Sequence, residues 1–460
     1  MDRRACPEQG RRVVITGVGV FSAIGITRES FAQSLFAGVS GVRPIARLNV
    51  GTDFPVRFAA EVPRFKTRDY IPDEQKKSIK VMSYDVQLGV VAAMSAVTDS
   101  GIIPSLAVGK EEKEGTVPQS GTVPWRVDPT RLGISYGCGN ISSDPEELAP
   151  SYAAGVRDDA VDYRAMGAEV MRGLTPLWLL KYLPNMPACH VSIFVDAQGP
   201  NNSLTTGDAA SLEAIGEGFR VIRRGWADVM ITGGVDAKVN PISLIRYRLL
   251  NWVNMSDGAP ETLARPFDKA RAGFVVGEGA ASLILEELNH ARARGARIYG
   301  EVLGFGGGCD ATGMNEPHPD GRGCRIAMTA ALRDAKTAPA DVDAVFANAS
   351  GAVVGDRAEA RAIASVFGSV RGAGVPVTAT RSMIGYVSSG GGALDAVAAL
   401  SAIEAGAVPP TLNCDAPDPE CPVRVTGRTP LKVANLDRIL INNGGFGGQF
   451  ASLVIGRYSS

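Results

Sequence analysis

An aspartate stands at a glycine turn in the stretch GPNNSLTTGDAASLEAIGEGFRVIRRGWADVMITGGV, residues 199–235. NNSLTT reads as a short buried strand, Gly207 as the turn, and Asp208 as the residue that opens a helix. A strand–turn–helix elbow aims the first helical side chain into a pocket, and the free N–H groups of the helix start face the same way. Acyl-transfer enzymes often put a nucleophile at such an elbow. A carboxylate serves poorly there. Its attack on a thioester gives a higher-energy anhydride, and its charge opposes a developing oxyanion. The favoured role for Asp208 is therefore capping, in which the carboxylate accepts helix N–H bonds and meets the dipole, for about 0.5–2 kcal/mol.

The other chemistry-bearing residue types are scattered. The three histidines are His190, His290 and His318. None lies near a glycine elbow in sequence, and their scatter gives no metal-ligand spacing. Each reads as structural or exposed. The seven cysteines lie at 6, 138, 189, 309, 324, 414 and 421. Odd in number and dispersed, they read as free thiols of a reducing cytoplasm. Glycines 17, 19 and 25 invite a dinucleotide fingerprint, but Ser22 stands where G-x-G-x-x-G needs its third glycine. No acidic residue ending a second strand supports that reading either. No cofactor is expected.

The elements around the elbow follow from periodicity. Leu212, Ile215, Phe219 and Ile222 fall three, four and three residues apart, one face of a helix. ADVMIT then reads as a strand stopped by Gly233 and Gly234. VVITGVGV reads as a buried strand, RESFAQSLFAG as a helix, 82–100 as a long helix and 131–139 as a strand. Residues 104–130, rich in charge, Pro, Gly and Thr, read as an exposed insertion, a solvated loop rather than a functional arm, which Trp125 could anchor. PLWLLKYLPNMPACHVSI (176–193), broken by prolines, reads as buried or at an interface. After the strand SLILEE the order recurs. A helix spans 324–335, a strand 342–350, a glycine turn and helix 388–406, and a strand with a glycine turn 438–448. The recurrence indicates a duplicated α/β layered fold.

At 460 residues the chain can bury a large core. Hydrophobic residues make up 45% and charged residues 21%, ordinary for a soluble globular protein. The formal net charge of −1 gives no electrostatic case for nucleic acid or an anionic membrane. No apolar run is long enough to span a bilayer, and residues 1–10 read as a disordered lead-in.

GPNNSLTTGDAASLEAI, GWADVMITGGVDA, RPFDKARAGFVVGEGAASLILEELNHARARGARIYGEVLGFG, RSMIGYVSSGGGALDA and NNGGFGG, in this order, resemble the successive motifs of β-ketoacyl-ACP synthases of the ketosynthase II type. The resemblance covers residue 11 to the C-terminus. It implies a thiolase-type fold with five α-β-α-β-α layers, an N-terminal half over 11–296 and a C-terminal half over 297–460. It also implies a cytoplasmic dimer, and substrates carried on the phosphopantetheine arm of an acyl carrier protein.

The family's catalytic set does not carry over. Its nucleophilic cysteine lies in T-A-C-T-S, matched here by Thr206–Gly207–Asp208–Ala209–Ala210. Its first histidine, in N-A-H-G-T, matches either Asn348 or Ser350. Its second histidine, ending K-S-M-T-G-H, is Tyr386. The family lysine becomes Arg381, and its nearby glutamate looks like Asp395; read without the resemblance, those two are an ordinary solvated or paired charge. The gating loop is kept as Gly445, Phe446, Gly447 and Gly448, followed by Gln449 and Phe450 in place of Thr-Asn.

Type II polyketide systems pair an active ketosynthase with a homologue lacking the cysteine, the chain length factor, which usually carries glutamine at the elbow. Three functional readings follow. The first is a non-condensing subunit that pairs with an active ketosynthase or with itself. The second is an acyl-ACP enzyme of altered chemistry, such as malonyl-ACP decarboxylation through hydrogen bonds from Asn348 (or Ser350) and Tyr386. The third is an inactive scaffold.

Overall fold

The computed structural model describes residues 10–48, 54–103, 127–157, 160–174, 177–314, 316–368 and 374–459. Nearly all of the lead-in and of the 104–130 segment, Trp125 included, lies outside them. The last residues of that segment enter the fold, with Val127 buried.

Eleven strands form the main sheet series. In the first half these are β1 (Val13–Ser22), β2 (Leu132–Cys138), β3 (Asn201–Leu204), β4 (Val229–Ala237) and β5 (Glu278–Glu287). Their spatial order is β3-β2-β4-β5-β1. β2 runs parallel to β3 and β4, whereas β4–β5 and β5–β1 are antiparallel. The second half contains β6 (Gly300–Cys309), β7 (Ala344–Phe346), β8 (Pro376–Thr378), β9 (Arg424–Val425), β10 (Arg438–Gly444) and β11 (Gln449–Gly456). Here the order β8-β7-β10-β11-β6 repeats the first, strand for strand and direction for direction. The halves join through a short antiparallel pairing of Val13–Ile15 with Gly300–Val302. β9 adds a parallel strand outside β8.

Helices complete the layers. α1 (Tyr84–Ser100) packs on β1, β4 and β5. Ser83 caps its start by accepting from Val86 N–H, and Gly101 ends it in the left-handed conformation. α2 (Ala210–Arg223) and α5 (Gly391–Ala405) touch each other between the two sheets. α3 (Arg322–Asp334) and α4 (Val353–Phe367) cover the far side. The architecture is the five-layer α/β fold that the motif order implies. In α2 the residues Leu212, Ile215, Phe219 and Ile222 are all buried, as their spacing requires. α5 is buried on every face from Gly391 to Ile403, which fits a helix enclosed between two sheets.

Several local expectations fail for identifiable reasons. β3 is not buried: Asn201 and Asn202 are exposed, because β3 is the outer strand and among the described residues pairs only with β2. β4 does not stop at Gly233 but continues to Ala237. A Cβ on Gly233 would come within 2.2 Å of the Ala281 carbonyl oxygen, so glycine there permits close strand approach. The strand expected over 342–350 is only Ala344–Phe346. The 176–193 stretch divides into a 3-10 turn at Trp178–Tyr182 and a helix at Met186–Phe194. Met186, His190 and Val191 are buried there, while Leu177, Leu179 and Ile193 are exposed. Among the described residues no helix is long and apolar enough to cross a membrane.

Candidate active site

The elbow forms where β3 ends. Gly207 takes φ +59°, the left-handed region that costs glycine least. Gly207–Ala209 make one 3-10 turn and α2 begins at Ala210. Asp208 is therefore lodged in the turn and is 2% exposed. Its carboxylate makes no capping bond to the helix start. The capping role is thus overturned: the turn swings the side chain toward α5's entry loop instead. There Oδ1 accepts from the Tyr386 hydroxyl at 2.5 Å and from Ser388 Oγ at 2.6 Å. Burial raises the Asp208 carboxyl above the usual aspartate range, against the opposing pull of the two hydroxyls. Gly445 closes over Oδ2; a Cβ on it would lie 2.5 Å from that oxygen.

Tyr386 follows Gly385, and its backbone N–H donates to the Val275 carbonyl at 2.7 Å. Its ring stacks on Phe274, with centroids 4.2 Å apart. Burial, with Asp208 beside it, pushes its hydroxyl well above the ordinary phenol range, so it remains a donor.

Behind this pair lies a second polar group. Arg381 and Asp395, 1% and 0% exposed at the side chain, form an ion pair at 2.8 Å. They are thus a buried pair and in no sense solvated. Thr380 Oγ1 also donates to Asp395 at 2.5 Å. Burial lifts the Asp395 carboxyl while Arg381 opposes the rise. The guanidinium reaches forward to Asn348 Oδ1 at 3.3 Å. Asn348 Nδ2 in turn donates to the Gly444 carbonyl at 2.6 Å, and its N–H donates to Glu359 at 2.9 Å. Ser350 takes a different place: its N–H donates to Asp356 at 3.0 Å. Of the two candidates for the first histidine position, it is Asn348 that bonds Arg381.

Asp208, Tyr386, Asn348, Ser350 and Phe446 line one cavity of about 230 Å³. Phe446 stacks on Trp252 at its rim, ring planes 17° apart. Gly447 is exposed beyond the rim, and its N–H donates to the Met314 carbonyl at 2.9 Å. The structure thus gathers five of the site residues, places Arg381 and Asp395 one contact behind, and leaves Gly447 outside. Sequence reasoning missed Ser388, Trp252 and Glu359. Ser388 had a signal, the glycine-rich turn that follows it; Trp252 and Glu359 had none. Glu359 lines the cavity with its carboxyl pushed up to about 8 by burial. No lysine, arginine or histidine lines the cavity among the described residues. Nor do the described residues group three or more His, Cys, Asp or Glu side chains so as to hold a metal ion.

Such a site offers an apolar wall and hydrogen-bonding groups to a small ligand. It has no thiolate to accept an acyl group and no imidazole to move a proton.

The model of the β-ketoacyl synthase N-terminal domain matches residues 10–291, and that of the C-terminal domain residues 299–415. The chain is 34% identical to 3-oxoacyl-[acyl-carrier-protein] synthase 2 of Coxiella burnetii, over 97% of this chain and 99% of that protein. The Vibrio cholerae protein of the same description is 32% identical, with 97% and 99% covered. Among solved structures it is similar to the ishigamide ketosynthase/chain length factor, with TM-score 0.80, 30% identity, and 98% and 100% of the two chains covered. A β-ketoacyl synthase from Burkholderia phymatum gives TM-score 0.82 at 28% identity over 98% and 100% of the chains. AntDE:AntF, a type II PKS acyl-carrier protein in complex with its ketosynthase, gives TM-score 0.81 at 25% identity over the same shares. With this motif order, this strand order in both halves and these matches along nearly its full length, the chain belongs to the β-ketoacyl synthase family.

Proposed function

We propose that this chain is a non-condensing ketosynthase-like subunit of a fatty acid or polyketide pathway. It pairs with an active ketosynthase and shapes the acyl pocket for substrates on the phosphopantetheine arm of an acyl carrier protein. One observation carries the reading. The residue at the nucleophile's elbow is a carboxylate held by Tyr386 and Ser388, the first of which stands where the family's second histidine would be. Of the two residues that match the first histidine position, Asn348 rather than Ser350 bonds Arg381, which supports assigning that position to it. The likeness to a ketosynthase/chain length factor and to a ketosynthase with its carrier protein supports the partners named.

Malonyl-ACP decarboxylation fits less well. The Tyr386 hydroxyl is already committed to Asp208, and a malonyl carboxylate would face a second negative charge. A scaffold without acyl substrate is separated from the main reading by titration with acyl-ACP, since it requires that none binds.

The test is a condensation assay on the purified chain with acyl-ACP and malonyl-ACP. No ketoacyl-ACP above the no-enzyme control is expected, and product above it overturns the reading. Asp208→Cys is expected to stay inactive. Its thiol, close to a helix start, alkylates readily, but no imidazole accompanies it. Turnover by that single variant would mean that Asn348 and Tyr386 suffice.

A further inference from the structure

The cavity wall is unusual in charge for an acyl site. Three acidic side chains line it, Asp208, Asp356 and Glu359, and no basic one among the described residues. Two of the three have backbone partners. Asp356 accepts from the N–H groups of Phe267, Ser350 and Gly351, and Glu359 accepts from that of Asn348. Asp208 differs. Its Oδ1 takes both hydroxyl protons, while Oδ2 takes no hydrogen bond from the described residues. The guanidinium of Arg381 lies outside the lining and is neutralised by Asp395.

Two further features point to a ligand. Asn443 lines the cavity, is 1% exposed, and has neither its amide oxygen nor its amide nitrogen hydrogen-bonded. A buried amide left so is costly, and a ligand that donates to its oxygen relieves part of that cost. Five aromatic side chains line it as well, Trp252, Phe274, Tyr386, Phe446 and Phe450, among aliphatic ones such as Met314, Val353 and Val354. Aromatic faces attract cations, most strongly where water is excluded. The volume of about 230 Å³ lies below the roughly 300–1,000 Å³ of drug-sized pockets, which suits a short group.

We propose that the cavity takes a short acyl group bearing an ammonium, an aminoacyl thioester, with Asp208 Oδ2 as counter-ion, Asn443 as acceptor and the aromatic rim as cation–π surface. The inference rests on the acyl-site reading above and names its substrate class. No bond is made or broken in this step.

The test uses the full chain and three N-acetylcysteamine thioesters, β-alanyl, butyryl and succinyl, titrated by calorimetry. β-Alanyl and butyryl match in length and differ in an ammonium against a methyl. β-Alanyl is expected to bind about tenfold more tightly than butyryl, and succinyl not measurably. Asp208→Asn, of the same shape, is expected to bring β-alanyl to within about threefold of butyryl. Trp252→Leu, at the half-buried rim where folding is least at stake, is expected to narrow the preference partway. Butyryl binding as tightly as β-alanyl overturns the ammonium claim and leaves the acyl site standing. A preference that survives in folded Asp208→Asn overturns the role of Asp208. Failure of all three thioesters to bind overturns the acyl-site reading together with this one.

Discussion

The outer edge of the first half and that of the second differ, although the strands leading to them run in the same order. In the second half β8 is covered by β9. In the first half β3 pairs, among the described residues, with β2 alone and presents its other edge. The elbow glycine follows that open strand, so among the described residues the site of interest lies beside an uncovered sheet edge. The glycine turns diverge in the same sense. In the first half the turn presents Asp208 to the cavity; in the second it carries Tyr386 and Ser388, the partners of Asp208, and leads into α5, which is buried all round. Duplication kept the strand order and the packing. The edge and the elbow are where the halves part.

The largest test concerns the open edge. A bare strand edge invites pairing with another chain, so a particle of two chains is expected, with roughly twice the 48.1 kDa of one. A light-scattering mass near 48.1 kDa breaks the comparison. A stable homodimer that ignores every ketosynthase of its host breaks only the hetero-pair.

Next comes Asp395→Ala, at the second half's buried polar group. It leaves the Arg381 charge uncompensated in the core, at a cost of about 3–5 kcal/mol. Denaturant melts read this loss, and a change below about 1 kcal/mol would mean water reaches Arg381. Gly392→Val probes the contact between the elbow helices. A Cβ there would stand 2.5 Å from Leu212 Cγ, so a loss of about 1–3 kcal/mol is expected. An unchanged midpoint would show that α2 and α5 can separate.

The smallest effect is the pH slope. Burial pushes Glu359 up to about 8 and Asp85 to about 7, and raises Asp208. The folded chain therefore holds protons that the unfolded chain has already released above about pH 4. Stability falls as pH rises from there to about 8. Melting temperature is expected to decline from pH 5 to pH 8.5, and Asp208→Asn to decline less. A rise over that range would contradict the assignment.

Much of this was legible in the sequence. The Leu212–Ile222 spacing located α2, and the recurrent strand and helix patterns gave the two halves. Other features depend on neighbours that spacing does not encode. The exposure of β3 is decided by the absence, among the described residues, of a strand beyond it. The partners of Asp208 lie at least 178 residues away, so capping, a local role, looked the better one. Gly233 read as a terminator because strand glycines placed for close contact look like turn glycines in a single sequence. Trp252 belongs to no periodic pattern, and only the approach of Phe446 makes it part of the site.

β1 carries one more consequence, in the order of events during synthesis. Both of its neighbours in the sheet come late: Val13 pairs with Glu287 on one side and Val302 on the other. Glu287 follows Val13 by 287 − 13 = 274 residues. At the usual elongation rates of about 5–20 residues per second, β1 waits roughly 14–55 s for that partner to be made. During that wait an apolar ten-residue strand, wholly buried in the finished fold, has nothing to pair with. Loop closure over such a distance also makes folding slow once synthesis ends. Yield in the cell should therefore depend on chaperones that hold nascent chains, and on how fast the codons between Val13 and Glu287 are read.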